Sequence, residues 1–375
     1  MAQNKNQHYV PKFYFRLFSQ NGKTICLFNI PKELFIESAS IAGQCSKNYF
    51  YNKNIEVEKA FAQLEGLIRT KLNLILENKR LDCLSKEEIE HLKAHILFQY
   101  GRTKFARDRE NELANYLFDL LKPKMYSDAK EKGKDILWES IENAKIILNS
   151  SHALLISMMS GILLNDLNIA LLENESKIDF IFSDNPVVFF NSFFNETRPQ
   201  GTIGIASTGL QIFYPINSKY MLFLYDPDYY AVSSCKIRIS KNKDIQRLNG
   251  LQILNCDENI YFQNFNMKEK ISERYNQIKS KKPNKKNEYE IMGSRIAEDG
   301  TYRELLRTSA PKIRYNLHKL SFFQHKATDK PFGVRNPLLV SLNNKIIDAV
   351  LDGKIRSMSD LELFLKDNWK LTQVP

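Results

Sequence analysis

The chain has 375 residues, 43% hydrophobic and 26% charged, with a formal net charge of +11. That length accommodates two domains, or one with a large appendage, and supplies a core that needs no staples. Five dispersed cysteines (Cys26, Cys45, Cys83, Cys235, Cys256) without a C-x-x-C pair exclude a disulfide scaffold and point to reduced thiols.

The first residues, MAQNKNQ, are polar and read as no signal peptide, so a cytoplasmic placement is expected. No apolar run approaches the ~20 residues of a membrane span. The charge is uneven. Residues 279–375 hold 19 Lys+Arg against 11 Asp+Glu, so +8 of the +11 belongs to the last quarter. Such a field attracts polyanions, nucleic acid first among them, although it also serves solubility alone.

QHYVPKFYFRLF (7–18) stands near the start of the sequence. His8, Lys12 and Arg16 share one side whether the stretch is extended or helical. An imidazole and two cations suit a phosphodiester, with proton transfer from the one and charge stabilisation from the others. The alternative is a basic stripe whose Phe13, Phe15 and Leu17 point inward. TICLFNI (24–30) and ELFI (33–36) predict two short strands around Pro31.

From about 55 to 174 the periodicity predicts an antiparallel helical bundle. Val57, Phe61, Leu64, Ile68 and Ile75 form one apolar stripe. Ser85 with Glu88 fits a capping box, and Pro123 is expected to end that helical stretch. HALLISMMSGILLNDLNIALL (152–172) reads as a buried helix. Glu65 and Arg69 on one helix, and Gln99 and Arg102 on the next, border the apolar faces. A buried carboxylate there needs a cation partner, so a structural ion pair is one reading and a functional polar set the other. Glu87, His91 and His95 lie on one helical face, but no further cluster completes a metal site, and none is assigned.

Past Lys177 the sequence turns to strands. FSDNPVVF (182–189) is strand, turn, strand, and the Asp-Asn-Pro turn sets Asp184 and Asn185 at a strand end. GLQIFYPINSKYMLFLYD repeats the plan. KNKDIQRLNGLQILNCDENIYF predicts a helix followed by a strand. An antiparallel sheet over about 177–263 that also takes in the N-terminal strands would bring residues 7–18 near 180–190. KSKKPNKKN (279–287) reads as an exposed basic linker. Beyond it, SAPKIRYNLHKLSFFQHK (309–326) is read as an amphipathic helix and SDLELFLKDNWK as a terminal one. The fold class is therefore α+β: a central helical bundle inserted between N-terminal strands and a mostly antiparallel sheet, within a domain of 1–278. A small, mainly helical basic segment, 288–375, follows. Motifs for nucleotide hydrolases, dinucleotide enzymes and serine hydrolases are absent from the sequence.

QHYVPKFYFRLF, VEKAFAQLEGLI, FQYGRTKFAR, FSDNPVVFF, IFYPINSKYMLFL and LNGLQILNCDENIYF, in that order over residues 7 to about 263, resemble the domain-of-unknown-function family numbered 4238. Lys12 and Phe15 depart from the family's usual residues. The resemblance implies a bacterial protein of the kind encoded among anti-phage defence genes, and it gathers His8, Arg16, Glu65, Arg102, Asp184 and Asn185 as one candidate pocket. The resulting expectation is a defence nuclease, acting on RNA rather than DNA. His8 is its acid or base, Asp184 orients His8, and Arg16, Arg102 and Lys12 hold phosphate. Asn185 or Glu65 completes the polar network. Lys279, Lys281, Lys282, Lys285 and Lys286 would contact nucleic acid. A divalent ion such as Mg2+, on Glu65 and Asp184, is the alternative source of charge stabilisation. The competing expectation is a non-enzymatic sensor in which the same polar set is structural and a phage-derived component is the partner. Homo-oligomers are compatible with either.

Overall fold

The computed structural model describes residues 6–51, 55–134, 137–148, 150–198, 201–296, 302–311, 313–318, 320–356 and 358–369. The opening stretch is both strand and helix. β1 (Asn6–His8) is followed by Pro11, whose carbonyl accepts from the amides of Tyr14 and Phe15 to start α1 (Lys12–Phe18). Proline's fixed φ suits a helix start. The short helix buries Phe13, Tyr14, Phe15 and Phe18. Next come β2 (Thr24–Asn29), β3 (Leu34–Ser40) and β4 (Ser46–Asn48), which returns to pair antiparallel with β1.

The helical region follows as α2 (Ile55–Asn78), α3 (Lys86–Gly101), α4 (Lys104–Glu131), α5 (Trp138–Glu142) and α6 (Ser150–Met159). The Ser85–Glu88 capping box forms as the sequence predicts. Two expectations fail here. Pro123 does not end α4. Asp119, four residues back, and Leu120 and Leu121 are exposed, so water serves the carbonyl that proline leaves unpaired. Nor is 152–172 one helix. α6 stops before Gly161, a single 3-10 turn covers Gly161–Leu164, and β5 (Asn168–Asn174) is a strand. Its Ala170, Leu171 and Leu172 are buried on both faces, and a continuous apolar run does not by itself distinguish a central strand from a buried helix.

The rest of the chain is β6 (Phe182–Ser183), β7 (Val188–Phe190), β8 (Gln211–Pro215), β9 (Tyr220–Tyr225), β10 (Tyr230–Ala231), β11 (Lys236–Ile239), α7 (Asn242–Asn255), β12 (Asn259–Phe262), α8 (Lys268–Ile278), β13 (Glu288–Ile296), β14 (Tyr302–Ser309), β15 (Gln324–His325), α9 (Pro337–Leu351) and α10 (Met358–Trp369). The α+β class is as expected; among the described residues, nine strands lie in two larger sheets and the others in the two-stranded pairs β1–β4, β10–β15 and β13–β14. One has the order β11-β5-β9-β8-β7, antiparallel except for the β11–β5 pair. The other, β3-β2-β12-β6, joins the N-terminal hairpin to the strand after α7 and to the strand before the SDNP turn. That pairing brings the opening helix to residue 182: Phe182 lies 4.4 Å from Phe18 and 5.2 Å from Phe15, ring centre to ring centre.

The five-stranded sheet separates two apolar cores. Leu171, Ile212 and Leu222 face the core of α1 and α3, whereas Ala170, Phe213 and Phe223 face that of α7 and α8. The second core is completed from the C-terminal quarter by Ile313, Tyr315, Leu317, Leu320, Phe322 and Phe323. The described residues of 309–326 are thus not a helix. Ile313, Tyr315 and Leu317 are buried while Arg314, Asn316 and His318 face outward, the period of two of an extended segment.

The 279–287 stretch is docked rather than free. Lys279 pairs with Glu33 (3.4 Å), and Lys286 with Asp257 (3.0 Å) and Asp108 (3.4 Å). Lys282 donates to the Cys256 carbonyl. Asn287 is buried against Arg109, donating to its carbonyl (2.9 Å) and accepting from its Nε (3.1 Å). Among the described residues no helix is long and apolar enough to cross a membrane.

Candidate functional site

The α3–α4 junction is the centre of the polar constellation. Arg102 is only 2% exposed. Its Nη2 contacts Glu65 Oε1 (2.8 Å) and donates to the His8 carbonyl (2.7 Å), and its Nε donates to the Tyr51 hydroxyl (3.1 Å). Tyr51 in turn donates to the Arg102 carbonyl (3.0 Å). The guanidinium is walled by the Phe61 and Phe98 rings, 5.7 and 5.1 Å away. The Glu65–Arg102 ion pair that the sequence suggests is present. Gln7 reinforces the join by accepting from the Tyr51 amide (2.8 Å), and Gln99 by donating to the Tyr9 carbonyl (3.1 Å).

His8 projects from the end of β1. Its Nδ1 lies 3.0 Å from the Gln44 carbonyl, so that nitrogen carries the proton and Nε2 presents its lone pair. Nε2 is buried and has no hydrogen-bond partner among the described residues, and the same holds for Nη1 of Arg102. Burial, then Lys12, with Arg102 contributing, lowers the His8 pKa to about 4, so the ring is neutral at pH 7.

Asp184 does not orient His8. Its Oδ1 accepts from the Asp257 amide (2.8 Å), and its Oδ2 from those of Glu258 (2.7 Å) and Asn259 (2.9 Å). The Gln44 carbonyl makes the orienting contact instead. Burial and the neighbouring Asp257 push the Asp184 carboxyl up to about 6, against the pull of those three donors. Three N–H groups take three of the carboxylate's about four lone-pair sites, and Glu65 Oε1 is held by Arg102, so the pair offers little of the oxygen-rich shell that Mg2+ requires. Among the described residues no group of three or more His, Cys, Asp and Glu side chains is placed to hold a metal. His91 and His95 diverge: His91 is 60% exposed beside Glu87, while His95 is buried with its pKa lowered to about 3 by burial and Arg102.

Asn185 belongs to a ladder that the sequence reading missed. Three amides on α7, three residues apart, fasten the main chain of 179–187. Asn249 accepts from the Ile181 amide (3.2 Å) and donates to the Asp179 carbonyl (2.8 Å). Gln252 accepts from the Ser183 amide (3.1 Å) and donates to the Pro186 carbonyl (2.9 Å). Asn255 donates to the carbonyls of Asn185 (2.7 Å) and Val187 (3.2 Å). Asn185 answers by donating to the Asn255 carbonyl (3.2 Å), and it accepts from the Thr103 hydroxyl (3.4 Å). Thr103 is also the cap of α4. Adjacent residues, Arg102 and Thr103, therefore tie the His8 network to the SDNP turn. The signal was in the sequence as N-x-x-Q-x-x-N on a helix, a spacing that aligns the three amides.

The cations divide. Arg16 is exposed and Lys12 half-buried on α1, and Lys281 and Lys285 are exposed beyond α8; none of the four has an ion-pair partner among the described residues. Lys279, Lys282 and Lys286 are held by local acceptors, as described above.

These features define an α+β protein in which a buried arginine, a buried carboxylate and an amide ladder join the N-terminal hairpin, the helical region and the sheet. The family model described as "Protein of unknown function (DUF4238)" matches residues 6–265, and the chain belongs to that family. No curated protein and no solved structure matches it.

Proposed function

We propose that this protein is a binding component of an antiviral defence response, with nucleic acid as its ligand, and that Glu65, Arg102, Asp184 and Asn185 form the frame presenting its basic surface. The carrying observation is how those residues spend their polar atoms. They bond to one another and to main chain at 2.7–3.4 Å, as a structural fastening does. The excess of +11, with Lys12, Arg16, Lys281 and Lys285 free of ion pairs among the described residues, supplies the attraction for phosphates. The test is anisotropy of labelled RNA and duplex DNA between about 50 and 200 mM salt, where phosphate contacts make log affinity fall linearly with log salt. The slope should shrink when Lys12, Arg16, Lys281 and Lys285 are changed together to Gln. Absence of binding at the lowest salt, or a slope untouched by the substitutions, overturns the proposal.

One observation favours a second reading, a metal-independent ribonuclease. His8 Nε2 and Arg102 Nη1 are both buried and unpartnered, one a lone pair and the other an N–H donor. A neutral imidazole could take the proton of a ribose 2′-hydroxyl, and a guanidinium could stabilise charge on phosphorus. RNA carries that internal nucleophile and DNA does not. Labelled total RNA and plasmid, with and without magnesium, beside His8→Ala, decide it. Cleavage lost in a variant that melts like the wild type supports the reading, whereas intact substrates throughout reject it.

A further inference from the structure

A cluster of titratable groups lies far in sequence from His8, around the second core. His318, in the extended segment before β15, and His325, on β15, turn their Nδ1 atoms toward each other, 3.2 Å apart. Their outer nitrogens are both engaged. Nε2 of His318 lies 3.3 Å from Glu196 Oε1, and Nε2 of His325 lies 3.0 Å from Ser192 Oγ. Asn316 donates to the same Glu196 oxygen (2.8 Å) and so fixes the carboxylate. The His325 ring is held among Phe193, Tyr230 and Phe323, with centroids 5.4, 5.5 and 5.8 Å away.

We propose that His318 and His325 form a two-imidazole chelate for a borderline divalent transition cation, with Zn2+ as the expected ion and water completing the coordination. Two nitrogens each about 2.0–2.1 Å from a tetrahedral zinc stand about 3.3 Å apart, close to the 3.2 Å between these two. A ligating imidazole characteristically gives its other N–H to a carboxylate or another polar acceptor, which fixes its tautomer. Glu196 does this for His318, whose Nδ1 lone pair therefore already points inward. In the metal-free chain His325 Nδ1–H donates to that lone pair, and Ser192 donates to His325 Nε2. On binding, the His325 proton moves from Nδ1 to Nε2 by way of solvent, and Ser192 Oγ changes from donor to acceptor. The proton moves within the pair and none is lost from it. Oxygen-seeking Mg2+ is a poor match for two imidazoles. This site is independent of the chemistry suggested for His8.

The full chain, free of any histidine tag and stripped with chelator, is dialysed to equilibrium against Zn2+. It is also titrated with Co2+, whose visible bands report imidazole coordination. The expected result is one ion lost from the stoichiometry in both His318→Gln and His325→Gln, and none lost in His91→Gln. Glu196→Gln should weaken affinity by about tenfold or more, the usual effect of removing such an outer partner. His318 is partly exposed, with a side-chain exposure of 30%, so its variant tests the proposal even if His325→Gln fails to fold. Equal stoichiometry in the wild type and His318→Gln, or no binding by the wild type, overturns it.

Discussion

Asp184→Ala is the sharpest test of whether the SDNP carboxylate is a fastening or a catalytic group. The substitution removes the acceptor for three main-chain donors, those of Asp257, Glu258 and Asn259, at 2.7–2.9 Å. A hydrogen bond to a charged group contributes about 1.5–3 kcal/mol, so the gross loss is about 4–9 kcal/mol. Part of this is offset, because the protein no longer buries a charge. The carboxyl is pushed from 3.8 to about 6, and each pKa unit corresponds to about 1.4 kcal/mol, so the relief is roughly 3 kcal/mol. The donors win, because they stay partly buried after their acceptor has gone, and the net destabilisation is about 1–6 kcal/mol. Against a typical total of about 5–15 kcal/mol this is a large fraction. The assays are the urea midpoint and thermal melting, where about 2 °C per kcal/mol gives a drop of about 2–12 °C. Asp184→Asn keeps one acceptor oxygen but turns an NH2 group toward the same donors, so it should lose at least half as much. A melting temperature for Asp184→Ala within about 1 °C of the wild type would refute the fastening.

Four further outcomes follow from the geometry. Arg102→Met removes the charge partner of Glu65 and the shorter of two donors to the His8 carbonyl, and it should cost about 3–5 kcal/mol. Glu65→Gln, at a side chain 26% exposed, should cost no more than about 1 kcal/mol by the same denaturation assay. Acid should unfold the protein through His95. In the unfolded chain this ring takes a proton near 6.5, but in the folded chain only near 3. Stability is therefore whole above 6.5 and falls as the pH drops through that window, by on the order of 3 kcal/mol at pH 4. His8 contributes with the same sign, and His95→Phe should flatten the slope between pH 6.5 and 4; an unchanged slope would contradict the burial argument. Asn287→Ala removes the anchor against Arg109, and about 1.4 kcal/mol of lost docking corresponds to a tenfold rise in opening. Trypsin should then cut within 279–286 about tenfold faster, and equal rates would show that the anchor does not hold the segment.

Turns, caps and ion pairs were legible where the cue is local. Ser85 and Glu88 are three residues apart and cap a helix in any fold that keeps it. Asp-Asn-Pro turns the chain wherever it lies. Glu65 and Arg102 could be paired because each borders an apolar stripe, and a buried carboxylate needs a cation. The family likeness covers these same segments. Two of the errors share a cause. Residues 168–174 and 309–326 are apolar stretches whose conformation depends on what covers them. β5 became a strand because β9 and β11 flank it, and 313–317 became extended because the second core lies on one side of it.

By itself the sequence determined the α+β class, the opening aromatic anchor, the strands on either side of the SDNP turn, the strand pair around the NSK turn, and the basic excess. Each depends on covalent order, side-chain periodicity or summed charge. Only the tertiary structure decided what the polar residues do. Asp184 reaches across 73–75 positions to amides beyond α7, and Lys286 reaches acids 29 and 178 positions away. His318 meets His325 because the chain between them turns back at Ser321–Phe322. A hydrogen bond is decided within a few tenths of an ångström, and that proximity is set by packing between segments far apart in the chain.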